Sequence, residues 1–291
     1  MVDVVWDMET SDPDDYLTLL LLLDHPQVRL KAVTITPGTT RQVGLVRRTL
    51  AEFGQEIPVG AFNLDHPKQC VSRWHEKVYG EIEPSQDAEE GWRVLCGQCD
   101  ENTTLITGAP LKNPGQAILR SRENEAEFVV GRMVIQGGFA GVGVIPEEQQ
   151  LEKFRGLTTC PTFNLNGDPQ SALAVMAYEG IGLRRLVSKN VCHSVCYDQA
   201  VHQRFAEIPQ LRKNQRWIYR GMDHYLGKHS QGKLLHDPLA ACCAIDETIG
   251  DWAEVEVYRE RGQWGARLQE GTKTWIITAY HREMFLQTLL A

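Results

Sequence analysis

The chain lacks any uninterrupted apolar run of the roughly 18 residues that a bilayer-crossing helix needs. The longest candidate, Leu17 to Leu23, is interrupted by Thr18 and stopped by Asp24, so no membrane partner is expected. Positive charge is also scarce: 30 Lys and Arg stand against 38 Asp and Glu, a net charge of −8. That balance does not suit a phosphate backbone, and a nucleic-acid polymer is not an expected partner. The opening residues, Met1-Val2-Asp3-Val4-Val5-Trp6-Asp7, carry no basic segment and no cleavage site. They read as a short buried strand rather than a signal peptide, and a cytoplasmic location is expected. Cysteine is spread over eight positions. Cys96-Gly97-Gln98-Cys99 has the gap of a zinc knuckle or redox pair, and Cys192-His193-Ser194-Val195-Cys196 could supply ligands. A structural zinc site needs four ligands, usually in two tight pairs, and the second cluster has the wrong spacing, so unligated thiols are expected. No internal repeat appears, nor a linker rich enough to divide the chain, and residues 1–291 are read as one domain.

What the chain does contain is alternation. Val2 to Trp6 is strand-like, and Asp14 to Leu23 is apolar all round, as a buried helix would be. Val28 to Thr36 reads as a strand ending in Pro37-Gly38, and Val43 to Phe53 as a helix with Val43, Val46, Leu50 and Phe53 on one face. Ile57 to Gly60 is a short strand. Residues 64 to 100 are polar and read as a surface excursion. Leu105-Ile106-Thr107 ends a buried strand before a helix reaching about Arg120, and Phe128 to Gln136 leads into Gly137-Gly138. Gln170 to Glu179 reads as a helix and Arg185 to Val191 as a strand. Val255 to Tyr258 and Trp275 to Thr278 flank Gly262, which suggests a β-hairpin before a terminal helix. The order implies an α/β fold: a mostly parallel open sheet with helices on both faces, closed by that hairpin and helix.

In such a sheet, ligands bind beyond the carboxyl ends of the strands. The first strand runs into Asp7-Met8-Glu9-Thr10-Ser11-Asp12-Pro13-Asp14-Asp15, five carboxylates in nine residues. A solvated turn with a helix N-cap accounts for one or two of them. Five pressed between a buried strand and an apolar helix point instead to a hard divalent cation, which takes oxygen ligands. Four other strand ends are polar: Thr107-Gly108-Ala109-Pro110, Gln136-Gly137-Gly138, Thr162-Phe163-Asn164 before Asp168-Pro169, and His236-Asp237-Pro238-Leu239.

Taken in order, these segments resemble the nucleoside hydrolases, the inosine–uridine-preferring ribohydrolases. Asp7-Met8-Glu9 with Asp14-Asp15 stands for the family's opening Asp-x-Asp-Pro-Gly-x-Asp-Asp, and Thr34 to Thr39 for the segment after its second strand. Thr107 to Asn113 is similar to Thr-Gly-Pro-Leu-Thr-Asn, and Gln136-Gly137-Gly138 to Met-Gly-Gly. Thr162-Phe163-Asn164 stands for Glu-Phe-Asn, and His236 to Ala240 matches the closing motif residue for residue. The resemblance implies calcium held by Glu9, Asp15, the Thr107 carbonyl and Asp237, with Glu9 as the base toward water. It implies that Asp14 and Asn164 hold ribose hydroxyls, that Thr39, Gln136, Thr162 and His236 contact substrate, and that the assembly is a homodimer or homotetramer. Residues on a loop and helix would serve the leaving base; His224 is the first candidate and His75 the second.

Four departures from the pattern matter. Glu9 replaces an Asp, with one extra residue before Asp14, and Asp12 is its rival because it directly precedes Pro13. Thr39 replaces an Asn, and Gln136 replaces a Met. Thr162 replaces a Glu that in the family binds the 5′-hydroxyl, so the 5′ end is expected to be held differently, a 5′ substituent being one reason. These departures also suit a second class, a calcium-dependent binding protein or sensor for a ribosylated metabolite. Retention of Asp14, Asp15, Asn164 and His236-Asp237 favours the hydrolase.

Overall fold

Strand β1 (Val2–Met8) is buried from Val4 to Met8 without alternation, the signature of a strand covered on both faces. The computed structural model describes residues 1–291. The chain continues through α1 (Pro13–Asp24), β2 (Val28–Ile35), α2 (Thr40–Glu52), β3 (Val59–Ala61), α3 (Arg73–Tyr79), β4 (Glu89–Glu90) and α4 (Gly91–Gln98). Next come β5 (Thr103–Thr107), α5 (Lys112–Arg122), β6 (Val130–Gln136), β7 (Thr159–Cys160), α6 (Phe163–Gly167), α7 (Pro169–Ala177) and β8 (Ile181–Val187). Then follow α8 (Lys189–Cys192), β9 (Cys196–Tyr197), α9 (Gln199–Ala206), α10 (Lys213–Leu226), β10 (Lys233–Leu234) and α11 (His236–Ile245). The chain closes with β11 (Gly250–Glu260), β12 (Gln263–Leu268), β13 (Thr274–Tyr280) and α12 (Arg282–Leu289).

The main sheet runs β4-β3-β2-β1-β5-β6-β8-β13-β11-β12-β7. It is parallel from β4 through β13 and antiparallel beyond. The helices form two groups, α1 against α10 and α11, and α5 against α4 and α7. Parallel strands need crossover connections, and helices in those crossovers cover the sheet. Helix α1 starts with Pro at its first turn and buries Asp14 through Leu23, so its two leading carboxylates are drawn inside along with its leucines.

Three sequence expectations change. Residues 64 to 100 are not a plain surface excursion: they contain α3 and α4, which bury Val78, Tyr79, Trp92, Val94 and Leu95. The intervening polar residues hide these short amphipathic stretches. The strand expected over Arg185 to Val191 is β8, which ends at Val187, where Ser188 accepts from Asn190 N and starts α8. The hairpin across Gly262 pairs β11 with β12, not with the Trp275 segment, which returns as β13 on the other side of β11. Gly262 sits at φ +80, a left-handed turn position that glycine occupies without strain.

The edge of this C-terminal unit reaches back to the middle of the chain. Trp264 and Gly265 of β12 pair with Cys160 and Thr159 of β7. The Asn166 amide donates to the Gly262 carbonyl at 2.7 Å, and the Thr159 hydroxyl donates to Gln263 Oε1 at 2.8 Å. All eight cysteines are free.

Candidate active site

At the carboxyl ends of β1, β5, β6 and β8 a cavity of about 470 Å³ opens. Its lining includes Glu9, Asp12, Asp14, Asp15, Gly108, Gln136, Thr162, Asn164, His236 and Asp237. Eight residues named from the sequence therefore meet in one place: Glu9, Asp14, Asp15, Gln136, Thr162, Asn164, His236 and Asp237.

The acidic wall is built by backbone donors. Glu9 N–H donates to Asp15 Oδ1 at 2.8 Å, which joins the end of β1 to the first turn of α1. The N–H groups of His236 and Asp237, in the first turn of α11, donate to Asp14 Oδ2 at 3.1 and 3.4 Å. These contacts bring oxygens of Asp14, Asp15 and Asp237 within 4.8 Å of one another. All three side chains are buried, none more than 4% exposed. Burial pushes Asp15 and Asp237 well above the usual carboxylate range, and the neighbouring carboxylates add to it. Glu9 is raised to about 7 by burial and by the charges of Asp7 and Asp12, against the Ser11 hydroxyl bond and Lys112.

Below this wall, Asp7 is fully buried and accepts from the Thr34 hydroxyl at 2.6 Å and the Asn113 amide at 2.9 Å. Its second oxygen has no partner, and burial raises the group to about 7. Gly108 leaves room for the cluster: a Cβ there would lie 2.4 Å from Trp6 Cη2 and 2.7 Å from Asp237 Cγ. Thr107 closes β5 beside it, with a buried hydroxyl that has no partner.

A cation already stands at this wall. Lys233, on β10, is buried with Nζ 2.9 Å from Asp12 Oδ1 and 3.4 Å from Asp14 Oδ1. Burial opposes its charge, but Asp14 and Asp12 outweigh that and hold the ammonium above its ordinary value. One lysine does not neutralise five carboxylates. An all-oxygen donor set, buried and under-compensated, fits a hard divalent cation, with Asp14, Asp15 and Asp237 as the side chains already gathered.

The opposite wall comes from β6 and α6. Asn164 donates to the Gln136 carbonyl at 3.0 Å and to Gln136 Oε1 at 2.8 Å, so the two side chains are fixed together. Gly137 follows at φ +149, a conformation that admits the bare backbone into the lining. Phe163 is 73% exposed and is the one hydrophobic residue of the lining. The His193 and His236 rings lie 4.7 Å apart, tilted by 46°, and His236 Nδ1 is buried without a partner. Cys192, His193 and His236 also approach within 4.8 Å, but the Cys192 thiol is pushed up to about 12 by burial and takes the Gln136 amide at 3.5 Å.

Four expected residues are not in the lining: Thr107 ends β5 one residue short of Gly108, and three lie elsewhere. Thr39 is the N-cap of α2, accepting from Gln42 N and donating to the Gln69 carbonyl at 3.0 Å. His75 is buried edge-on to Tyr16 at 5.1 Å, with Nδ1 on Ser72, and burial lowers it to about 4. His224 lies on α10 in a separate depression with Trp74, Tyr225 and Lys228, its Nε2 3.0 Å from Lys228 Nζ. The sequence placed His224 on a helix but could not show which way that helix turns it. Conversely Lys233, Lys189 and Phe163 were not singled out as site residues; Lys189 fell inside the strand expected over Arg185 to Val191, whereas β8 ends at Val187.

An uncharacterized protein of Aquifex aeolicus is 27% identical over 97% of this chain and 96% of its own. The pyrimidine-specific ribonucleoside hydrolase RihA of a Shewanella species is 26% identical over 85% of this chain and 80% of its own. Among solved structures, an inosine–uridine preferring nucleoside hydrolase from Bacillus anthracis superposes with a TM-score of 0.70 at 17% identity, covering 99% of this chain and 98% of its own. A purine-preferring ribonucleoside hydrolase from Gardnerella vaginalis gives 0.67 at 16% identity, over 99% and 96%. The family model for inosine-uridine preferring nucleoside hydrolase matches residues 4–287, and the chain belongs to that family.

Proposed function

We propose that the chain is a calcium-dependent N-ribohydrolase that splits a ribonucleoside, or a modified one, into ribose or a ribose derivative and free base. The observation that carries this reading is the gathering of buried Asp14, Asp15 and Asp237 with Glu9 and Asn164 around one cavity at the strand ends. Asp15, Asp237, Glu9 and the Thr107 carbonyl would hold the ion, with Asp14 facing the same cluster. Bound there, calcium supplies an anchor for sugar hydroxyls and makes a nearby water more acidic.

The rest of the work falls to the chain's own groups. Glu9, with a carboxyl raised to about 7, accepts the water proton at its side-chain oxygen. Asp14 and Asn164 bind the ribose hydroxyls, and the backbone N–H groups of His236 and Asp237 hold Asp14 in place. Positioning the sugar against that water removes much of the entropic barrier to attack. Phe163 offers a face to the leaving base, and His236 offers an imidazole from the same lining. The assembly is read as a cytoplasmic homodimer or homotetramer, which light scattering would check.

Purified protein should release reducing sugar from at least one member of a ribonucleoside panel with calcium and lose that activity with a chelator. The panel includes purines and pyrimidines, since relatives named for each are similar to this chain. The second reading, a calcium-dependent sensor, draws on Lys233 engaging Asp14. It predicts tight binding of calcium and ligand without sugar release.

A further inference from the structure

The lining of the cavity is not uniformly acidic. Beside Thr162 it carries the cation Lys189 and the imidazole of His193, which burial, His236 and the two nearby lysines lower to about 3 and so keep uncharged. The platform beneath them is Phe154, a buried ring edge-on to Phe139 at 5.5 Å and to His193 at 5.4 Å. Two ammonium groups sit over that one ring, Lys153 at 5.1 Å and Lys189 at 5.6 Å from its centroid, a cation–π arrangement that gathers them despite their mutual repulsion. Lys153 Nζ lies 2.8 Å from His193 Nδ1, and Lys189 Nζ donates to the Pro161 carbonyl at 3.0 Å, next to Thr162.

Neither lysine forms an ion pair. The acids of the first loop pair with Lys233 instead. Thr162 lines the cavity at 3% exposure, and its hydroxyl is buried with no partner. A buried hydroxyl without a bond is costly in an empty site and is satisfied by an acceptor that arrives with the ligand. Lys189 and the orphan Thr162 hydroxyl stand in the lining of the sugar-binding cavity, with Lys153 behind them over the same Phe154 ring, and together they call for a ligand carrying charge as well as several acceptor oxygens. A neutral hydroxymethyl group could accept from the Thr162 hydroxyl but would leave both ammonium charges without a counter-charge; a phosphate monoester, with its charge of about −1.5 to −2 and three acceptor oxygens, uses all three.

We propose that the cavity takes a 5′-phosphorylated ribosyl substrate of the nucleoside 5′-monophosphate class, its phosphate held by Lys189, Lys153 and the Thr162 hydroxyl. This rests on the N-ribohydrolase reading above. Water gives its oxygen to C1′ as the C1′–N bond breaks; the bonding electrons and a water proton leave with the base. The products are free base and ribose 5-phosphate, the phosphate ester untouched.

The test compares matched nucleosides and nucleoside 5′-monophosphates with the full chain and calcium, following base release by chromatography. The expected result is at least ten-fold higher kcat/KM for the monophosphates, declining steeply with salt. The Lys153→Ala/Lys189→Ala double variant should cut that preference at least ten-fold, and Thr162→Glu should do the same by placing a negative charge beside the phosphate. Equal or better turnover of plain nucleosides, with the preference unmoved in the variants, overturns this proposal and leaves the ribohydrolase standing. If no substrate of either kind releases base, the ribohydrolase reading fails. Calorimetric binding then decides the phosphate site separately: ribose 5-phosphate at least ten-fold tighter than ribose supports it, and equal affinity overturns it.

Discussion

Replacing Lys233 by Met keeps the aliphatic stem and removes the one cation at the acidic wall. Its pair with Asp12 is half in water, since that carboxylate is 52% exposed, and contributes under about 1 kcal/mol. Its pair with Asp14 is enclosed, with side chains 7% and 4% exposed. Removing one partner of a pair buried to that degree costs roughly 3–5 kcal/mol, because the other charge is stranded. In chelator the melting temperature of Lys233→Met should therefore fall by on the order of 10 °C. Saturating calcium should remove at least half of that loss, because the ion returns positive charge to the same carboxylates. The substitution also removes a cation that repels the ion, so calorimetric titration should show calcium binding at least ten-fold tighter than in the parent. An equal thermal loss with and without calcium, or weaker calcium binding, would refute the electrostatic argument and make Lys233 a packing strut.

Glu9→Gln should lower kcat by roughly 10²–10⁴-fold, the range of general-base removal, whereas Asp12→Asn should cost far less; the reverse ranking in steady-state assays would hand the base role to Asp12. Gly108→Ala should weaken calcium binding at least ten-fold by titration, since its Cβ would meet Asp237 Cγ at 2.7 Å and Trp6 at 2.4 Å; unchanged affinity would mean that Asp237 does not bind the ion. The metal-free protein should melt at a lower temperature at pH 8 than at pH 5.5. Asp7 and Glu9, raised by burial to about 7, contribute stability in their protonated forms that is full below about pH 4 and lost as pH rises through 7. Calcium would bind the deprotonated carboxylates and should flatten that slope. Thermal scans with and without chelator would read it, and a rise in stability toward pH 8 without metal would contradict the assignment.

The first strand and the acidic loop were legible because burial and charge density collide there within nine residues. The segment from His236 to Ala240 was legible because an acid and an imidazole precede an apolar helix. Asp168 caps α7, its side chain accepting from Ser171 N at 3.1 Å. Lys233 was not legible: it sits on a two-residue strand, 219 residues along the chain from Asp14, and no local pattern marks it. Lys189 was hidden by a boundary. Reading the strand as Arg185 to Val191 put that lysine inside it, whereas β8 ends at Val187 and leaves Lys189 beyond the strand end, where ligands bind. The direction of α10 depends on tertiary packing, so the sequence could not assign His224 to a cavity.

The pairing of β12 with β7 has a consequence for how the enzyme is made. Residues 159 to 166 carry Thr162 and Asn164, but they are stitched in place by Gly262, Gln263, Trp264 and Gly265. Synthesis proceeds from the N-terminus, so the acidic wall contributed by Glu9 to Asp15 is made first, Asp237 much later, and the brace of the wall carrying Thr162 and Asn164 later still. A ribosome-bound chain ending before residue 260 would hold most of its site residues without the strand that steadies Thr162 and Asn164. Activity is therefore expected only once the chain is nearly complete, and a truncation that spares every residue of the lining is expected to inactivate it.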